Sequence, residues 1–96
     1  MLAIDLGTTG VKVAVVDAEG LALGAAGETL PLLSVADGGV EQDADGWWQA
    51  IGRCARRVLV SVPAARAEVG LIAVTSQYNS TVAVDARGLP VANAVM

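Results

Sequence analysis

Apolar and polar positions follow three different rhythms along this chain. Near the start, Leu2, Ala3 and Ile4 run into a single carboxylate, Asp5, and a Gly7-Thr8-Thr9-Gly10 segment then leads into Val11, Val13, Val15 and Val16. Apolar stretches on either side of a short polar turn predict a strand, a tight turn and an antiparallel strand. Val16-Asp17-Ala18-Glu19-Gly20-Leu21 opens on Asp and closes on Gly, so it predicts a second turn, and Leu21 to Thr29 predicts a third strand of a meander. Residues 30 to 42 hold Pro31, Asp37, Gly38 and Gly39 with little periodicity and read as loop. A connection that long in so small a unit suggests that it covers something.

The second rhythm is helical. Trp47, Ile51, Cys54, Val58 and Val62 recur every three or four positions, Asp43 suits an N-cap, Asp45 places negative charge in the first turn, and Pro63 ends the segment. Arg53, Arg56 and Arg57 lie further along, where the helix dipole favours cations. Trp47 reads as a core anchor in preference to a ligand contact, and Trp48, about 100° around the helix, could pack on the neighbouring sheet edge. After a linker at Ala64 to Val69, Gly70 to Thr75 is a continuous apolar run. Following a helix, it reads as a buried parallel strand that completes a strand-helix-strand crossover. Thr81 to Val84 and Val91 to Met96 read as a final hairpin around Val84-Asp85-Ala86-Arg87-Gly88-Leu89, which nearly repeats the turn at residues 16 to 21. Two such copies are shared turn chemistry, not a repeat array. The last strand ends without a polar tail or loop, so the chain reads as a piece of an incomplete domain.

Composition narrows the function classes. Ninety-six residues make one small domain, yet 54% are hydrophobic, above the usual share. That excess suggests strands covered on both faces, or a piece whose remaining cover lies elsewhere. Net charge is −4, so no basic stripe exists for a nucleic-acid partner. No apolar run approaches the roughly 18 residues of a membrane span, and no basic-then-apolar leader precedes the first strand; a soluble, cytoplasmic protein is expected. The single Cys54 allows no internal disulfide, and the absence of histidine removes zinc constellations and His-dependent nucleophilic catalysis.

The candidate chemistry lies in Asp5 to Lys12. Two glycines flanking the turn permit positive φ and close backbone approach, so N–H groups and the Thr8 and Thr9 hydroxyls can converge on an anion such as phosphate. Asp5 opposes that: a carboxylate about 4 Å from a phosphate oxygen is repelled by roughly 4 kcal/mol at an effective dielectric near 20. A hard dication between them removes the conflict, so the stretch implies Mg²⁺ with a polyphosphate. A plain structural hairpin, with Asp and Thr satisfying turn backbone, is the alternative. A Walker loop is excluded, because its Gly-Lys spacing is missing and a strand follows. Ser76-Gln77-Tyr78-Asn79 sits beyond the carboxyl end of the parallel strand, where open α/β sheets bind ligands; a polar turn is its alternative reading.

Ile4 to Lys12 resembles the phosphate-binding hairpin of the FGGY carbohydrate kinases, within the actin-like, ribonuclease-H-like ATPase superfamily. Glu41-Gln42-Asp43 before Trp47-Trp48, the Ser76 to Asn79 segment and both Asp-to-Gly turns extend the resemblance along the chain. It implies an α/β fold: the N-terminal subdomain of an actin-like ATPase, with a three-stranded antiparallel meander, one helix, a parallel strand and a hairpin. The implied reaction is transfer of the γ-phosphoryl of ATP to a sugar, a ketose such as xylulose. Thr8, Thr9, Gly10 and Lys12 would meet ATP phosphates, Asp5 would hold Mg²⁺ through water, and Gln77, Tyr78 and Asn79 would face the sugar. Xylulose kinases commonly carry Gly-Gln-Met-His-Gly at Ser76 to Ser80, so Gln77 matches while Tyr78 and Asn79 replace the Met-His pair. No catalytic residue falls in this chain, since the family's Asp base and adenosine pocket lie much further on. The piece would be inactive alone, and the full-length protein could form a homodimer. A noncatalytic actin-like binding module and a glycerol-like polyol kinase are the other readings.

Overall fold

A computed structural model describes residues 1–96. Strand β1 (Leu2–Leu6) pairs antiparallel with β2 (Gly10–Val16), which pairs antiparallel with β3 (Ala22–Thr29), so the expected meander is present. Helix α1 (Ala44–Ser61) follows two short strands, β4 (Leu33–Ser34) and β5 (Val40–Gln42). A single turn of helix, α2 (Ala65–Glu68), precedes β6 (Ile72–Ser76), which runs parallel to β1. The main sheet therefore has the order β3-β2-β1-β6, and a second sheet orders β4, β5 and β7 (Ala94–Val95).

Alternation decides which face of the main sheet is covered. Val11, Val13 and Val15 on β2 lie opposite Leu6, Ile4 and Leu2 on β1, and these positions turn toward α1. Ala50, Cys54 and Val58 of α1 are fully buried against them, with Trp47, Ile51 and Val62 packed around the same core. Asp43 caps the helix, its Oδ1 accepting from the Asp45 N–H at 3.0 Å. The two Asp-to-Gly turns share one hydrogen-bond pattern: Asp17 and Asp85 each accept two backbone N–H groups on Oδ1, and Gly20 and Gly88 take φ of 88° and 80°.

Several expectations are corrected. The parallel strand is present but not buried: Ile72 and Val74 are 60% and 65% exposed. A helix about 10 Å wide spans roughly two strands at 4.8 Å spacing, and α1 lies over β2 and β3 with only its margin on β1, leaving β6 outside its cover. Residues 30 to 42 are not all loop, because β5 is pinned between β4 and the distant β7. The linker at 64 to 69 contains α2, whose single turn carries no readable periodicity. The closing hairpin shrinks to two isolated bridges, Thr81 to Val95 and Val84 to Pro90. Pro90 has no N–H for a ladder, and Ala94–Val95 pairs mainly with β5. Trp48 is 76% exposed and packs on no sheet edge. The arginines do not sit in the last helical turn, which has no basic residue; Arg53 and Arg57 instead reach across to Glu28 on β3.

Candidate phosphate-binding hairpin

The turn between β1 and β2 is closed by the Gly7 N–H donating to the Gly10 carbonyl at 2.9 Å. Neither glycine takes the positive φ that the sequence allowed; positive φ occurs at Gly20, Gly38 and Gly88 among the glycines. Close approach is what Gly10 provides. A Cβ there would lie 2.6 Å from the Glu28 carbonyl oxygen on β3, so only glycine lets the two strands meet beside the turn.

Thr8 and Thr9 form the exposed tip. Both of their carbonyls are tied back into the protein: Thr8 accepts from Gln42 Nε2 at 2.8 Å, and Thr9 accepts from the Leu30 N–H at 3.0 Å. Neither threonine N–H has a protein partner. All peptides are trans, so the Thr9 N–H points opposite the anchored Thr8 carbonyl, outward from the fold. Unpaired N–H groups beside two hydroxyls make a ready anion site. An open hollow of about 310 Å³ lies alongside, bordered by Gly7, Thr9, Gly10, Lys12 and Thr29.

Asp5 and Lys12 are cross-strand neighbours on the sheet face away from α1. Their charged ends are 4.0 Å apart, with side chains 50% and 80% exposed, so this is a loose surface pair and not a buried one. Asp5 thus stays available to an ion. No cluster of three or more metal-ligating side chains exists in the chain, so a dedicated metal cage is absent. One half-exposed carboxylate does suit Mg²⁺, which commonly keeps several waters and takes its remaining oxygens from substrate phosphates.

The second group of candidates arrives at the same end of the sheet. β6 ends beside β1, and the Gln77 N–H donates to the Leu6 carbonyl at 2.7 Å, which seats Gln77 next to the turn. Tyr78 is 90% exposed and Asn79 adopts φ of 58°, a left-handed conformation that asparagine tolerates better than most side chains. Asp5, Thr8, Thr9, Gly10, Lys12 and Gln77 are therefore gathered at one end of the sheet, whereas Tyr78 and Asn79 stand at its rim with no side-chain hydrogen bond to the others.

Gln42 is the residue that sequence reasoning missed. It was legible only as part of the segment introducing α1, yet it is 1% exposed and links Thr8, Pro31, Trp47 and Gln77. A glutamine five places before the first tryptophan of the helical stripe carries no signal of a contact 34 residues away; the pairing of β5 with β7 puts it there. Trp47 is the packing anchor expected, and its indole N–H also donates to Gln42 at 3.1 Å.

A mixed sheet with one helical layer is the α/β architecture of the actin-like ATPase fold. Residues 1–96 match the model of the FGGY family of carbohydrate kinases, N-terminal domain, and the chain belongs to that family. It is 37% identical over 97 residues to a glycerol kinase of Rhodospirillum centenum and 31% identical over 96 residues to a xylulose kinase of Staphylococcus epidermidis, covering 100% of this chain in each case. The crystal structure of a xyloylose kinase from Brucella ovis superposes with a TM-score of 0.93 at 25% identity over 99% of the chain. A xylulose kinase from Rhodospirillum rubrum superposes with a TM-score of 0.87 at 23% identity and supports the fold alone. The chain spans about a fifth of the length of these relatives.

Proposed function

We propose that this chain is the N-terminal part of a kinase that transfers the γ-phosphoryl of ATP to a hydroxyl of a small sugar. The observation that carries the reading is the Thr8-Thr9 tip, with both carbonyls held inward and both N–H groups unpaired. Phosphoryl transfer depends on positioning and charge neutralisation, and this chain's residues serve both. Thr8 and Thr9 donate to phosphate oxygens, Gly10 borders the hollow beside them, and Lys12 adds positive charge at its edge. Asp5 would hold magnesium through water, and the ion would supply charge neutralisation for the phosphates. Gln77, with Tyr78 and Asn79 at the rim, faces the sugar. The base that takes the hydroxyl proton comes from outside this chain, so residues 1–96 are inactive alone. A cytoplasmic location and a homodimer of the full-length protein belong to the same reading; no helix is long and apolar enough to cross a membrane.

A ketose such as xylulose is the favoured acceptor, supported by Gln77 and by the xylulose kinase relatives. A polyol such as glycerol is the second reading, favoured by the higher identity to a glycerol kinase. Assaying the full-length protein for Mg-ATP consumption across ketoses, aldoses and polyols separates them. Asp5→Asn should weaken the magnesium dependence and lower turnover by at least tenfold; unchanged turnover removes Asp5 from the metal. Calorimetry with Mg-ATP tests the noncatalytic alternative, which requires that no magnesium-dependent heat be seen.

A further inference from the structure

Every hydrogen-bonding group of the buried Gln42 amide is engaged. Its Oε1 accepts from Trp47 Nε1 at 3.1 Å and Gln77 Nε2 at 3.3 Å, and its Nε2 donates to the carbonyls of Thr8 at 2.8 Å and Pro31 at 3.4 Å. An indole N–H can only donate and a peptide carbonyl can only accept. Turning this amide over would set N–H against N–H at Trp47 and oxygen against oxygen at Thr8 and Pro31, so its orientation is determined. That orientation dictates the next one. Gln42 presents oxygen to Gln77, so Gln77 must answer with its NH₂, and its own Oε1 faces the other way, buried and without a protein donor.

From this we infer that Gln42 is a positioning residue which sets the polarity of both halves of the site. On one side it holds the Thr8 carbonyl inward, which keeps the Thr9 N–H turned out as a donor for phosphate. On the other it makes Gln77 Oε1 an acceptor, matched to a donating hydroxyl of the sugar. A buried acceptor without a partner is costly, and a substrate hydroxyl supplies the missing donor. The inference rests on the kinase reading above and extends it to a residue that touches neither substrate.

Steady-state kinetics of the full-length kinase with its best substrate test this. Gln42→Met removes all four bonds and should raise KM for both Mg-ATP and sugar by tenfold or more. Gln42→Glu separates the two halves. Protonated, it reproduces the donor and the acceptor; ionised, it still accepts from Gln77 but opposes the Thr8 carbonyl. Burial raises a carboxyl's pKa, so KM for Mg-ATP should climb across an ionisation that the wild type lacks, while KM for sugar tracks the wild type. Unchanged KM values in Gln42→Met, or both KM values moving together with pH in Gln42→Glu, overturn the inference. Should neither variant fold, ¹⁵N-tryptophan labelling of the wild-type kinase decides it, with peaks assigned through Trp47→Phe. Sugar should shift the Trp47 indole resonance through Gln42 and leave exposed Trp48 in place; a stationary Trp47 peak refutes the relay. A wild type that phosphorylates nothing is a different result, because it removes the kinase reading itself.

Discussion

Gly10 shows how much a single missing side chain can decide. Its Cα faces the Glu28 carbonyl so closely that an added methyl meets backbone at 2.6 Å, and backbone cannot rotate aside as a side chain can. Gly10→Ala should therefore push β3 off β2 and cost about 1–3 kcal/mol, as other overpacked sites do, read as a lowered urea midpoint with an unchanged slope. A midpoint equal to wild type would mean that the strands separate freely there. The glycine was visible in the sequence for two reasons, positive φ and close backbone approach, of which the structure keeps only the second, and toward β3. Asp5 and Lys12 were legible as an acid before the turn and a basic residue after it, whereas their cross-strand pairing and exposure came from the fold.

Among the elements, α1 was the most legible and β4, β5 and β7 the least. A stripe from Trp47 to Val62 spans more than four turns and needs no partner to be recognised, and Asp43 marks its start. Asp43→Ala should lower stability by about 1 kcal/mol through loss of the cap, measured by thermal melting; no change would show that the Asp43 side chain contributes nothing to the helix start. The helix is also moored by charge. Glu28 accepts from Arg53 Nε at 3.1 Å and lies 3.6 Å from Arg57, and the hydrogen bond from Arg53 above all holds its carboxyl below the usual carboxylate range. Since the folded pKa is the lower one, the stabilisation is present above the unfolded value near 4.5 and fades as pH falls through the folded value. Glu28→Gln should flatten the acid limb of a stability-versus-pH curve below that point. A residual slope should persist from Asp85, whose carboxyl is lowered chiefly by the backbone N–H groups of Leu89 and Arg87. An acid limb identical to wild type would show that the Arg53 contact is not maintained in solution.

For the whole molecule, the consequential feature is an uncovered flank. Leu71, Ile72 and Val74 are exposed together, and β6 pairs only with β1, leaving its other edge open. Apolar residues on an unpaired edge favour self-association. The isolated chain should show concentration-dependent sedimentation, and Val74→Lys should reduce it; monomers at all concentrations in the wild type would contradict this. The hydrophobic excess in the composition anticipated such a surface. Its location could not be read, because an apolar run looks the same whether a helix covers it or passes beside it.

Local order was available from the residues themselves: the meander, the two Asp-to-Gly turns, the capped helix and the polar tip at Thr8-Thr9 depend on neighbours within a few positions, where periodicity and turn chemistry operate. Tertiary structure alone decided what joins them. Gln42 meets Thr8 and Gln77 across 34 and 35 residues, and it does so because β5 is clamped by β7 from the far end of the chain. Contacts between distant segments are chosen by which faces remain to be buried once local elements exist, and no single stretch of sequence carries that information.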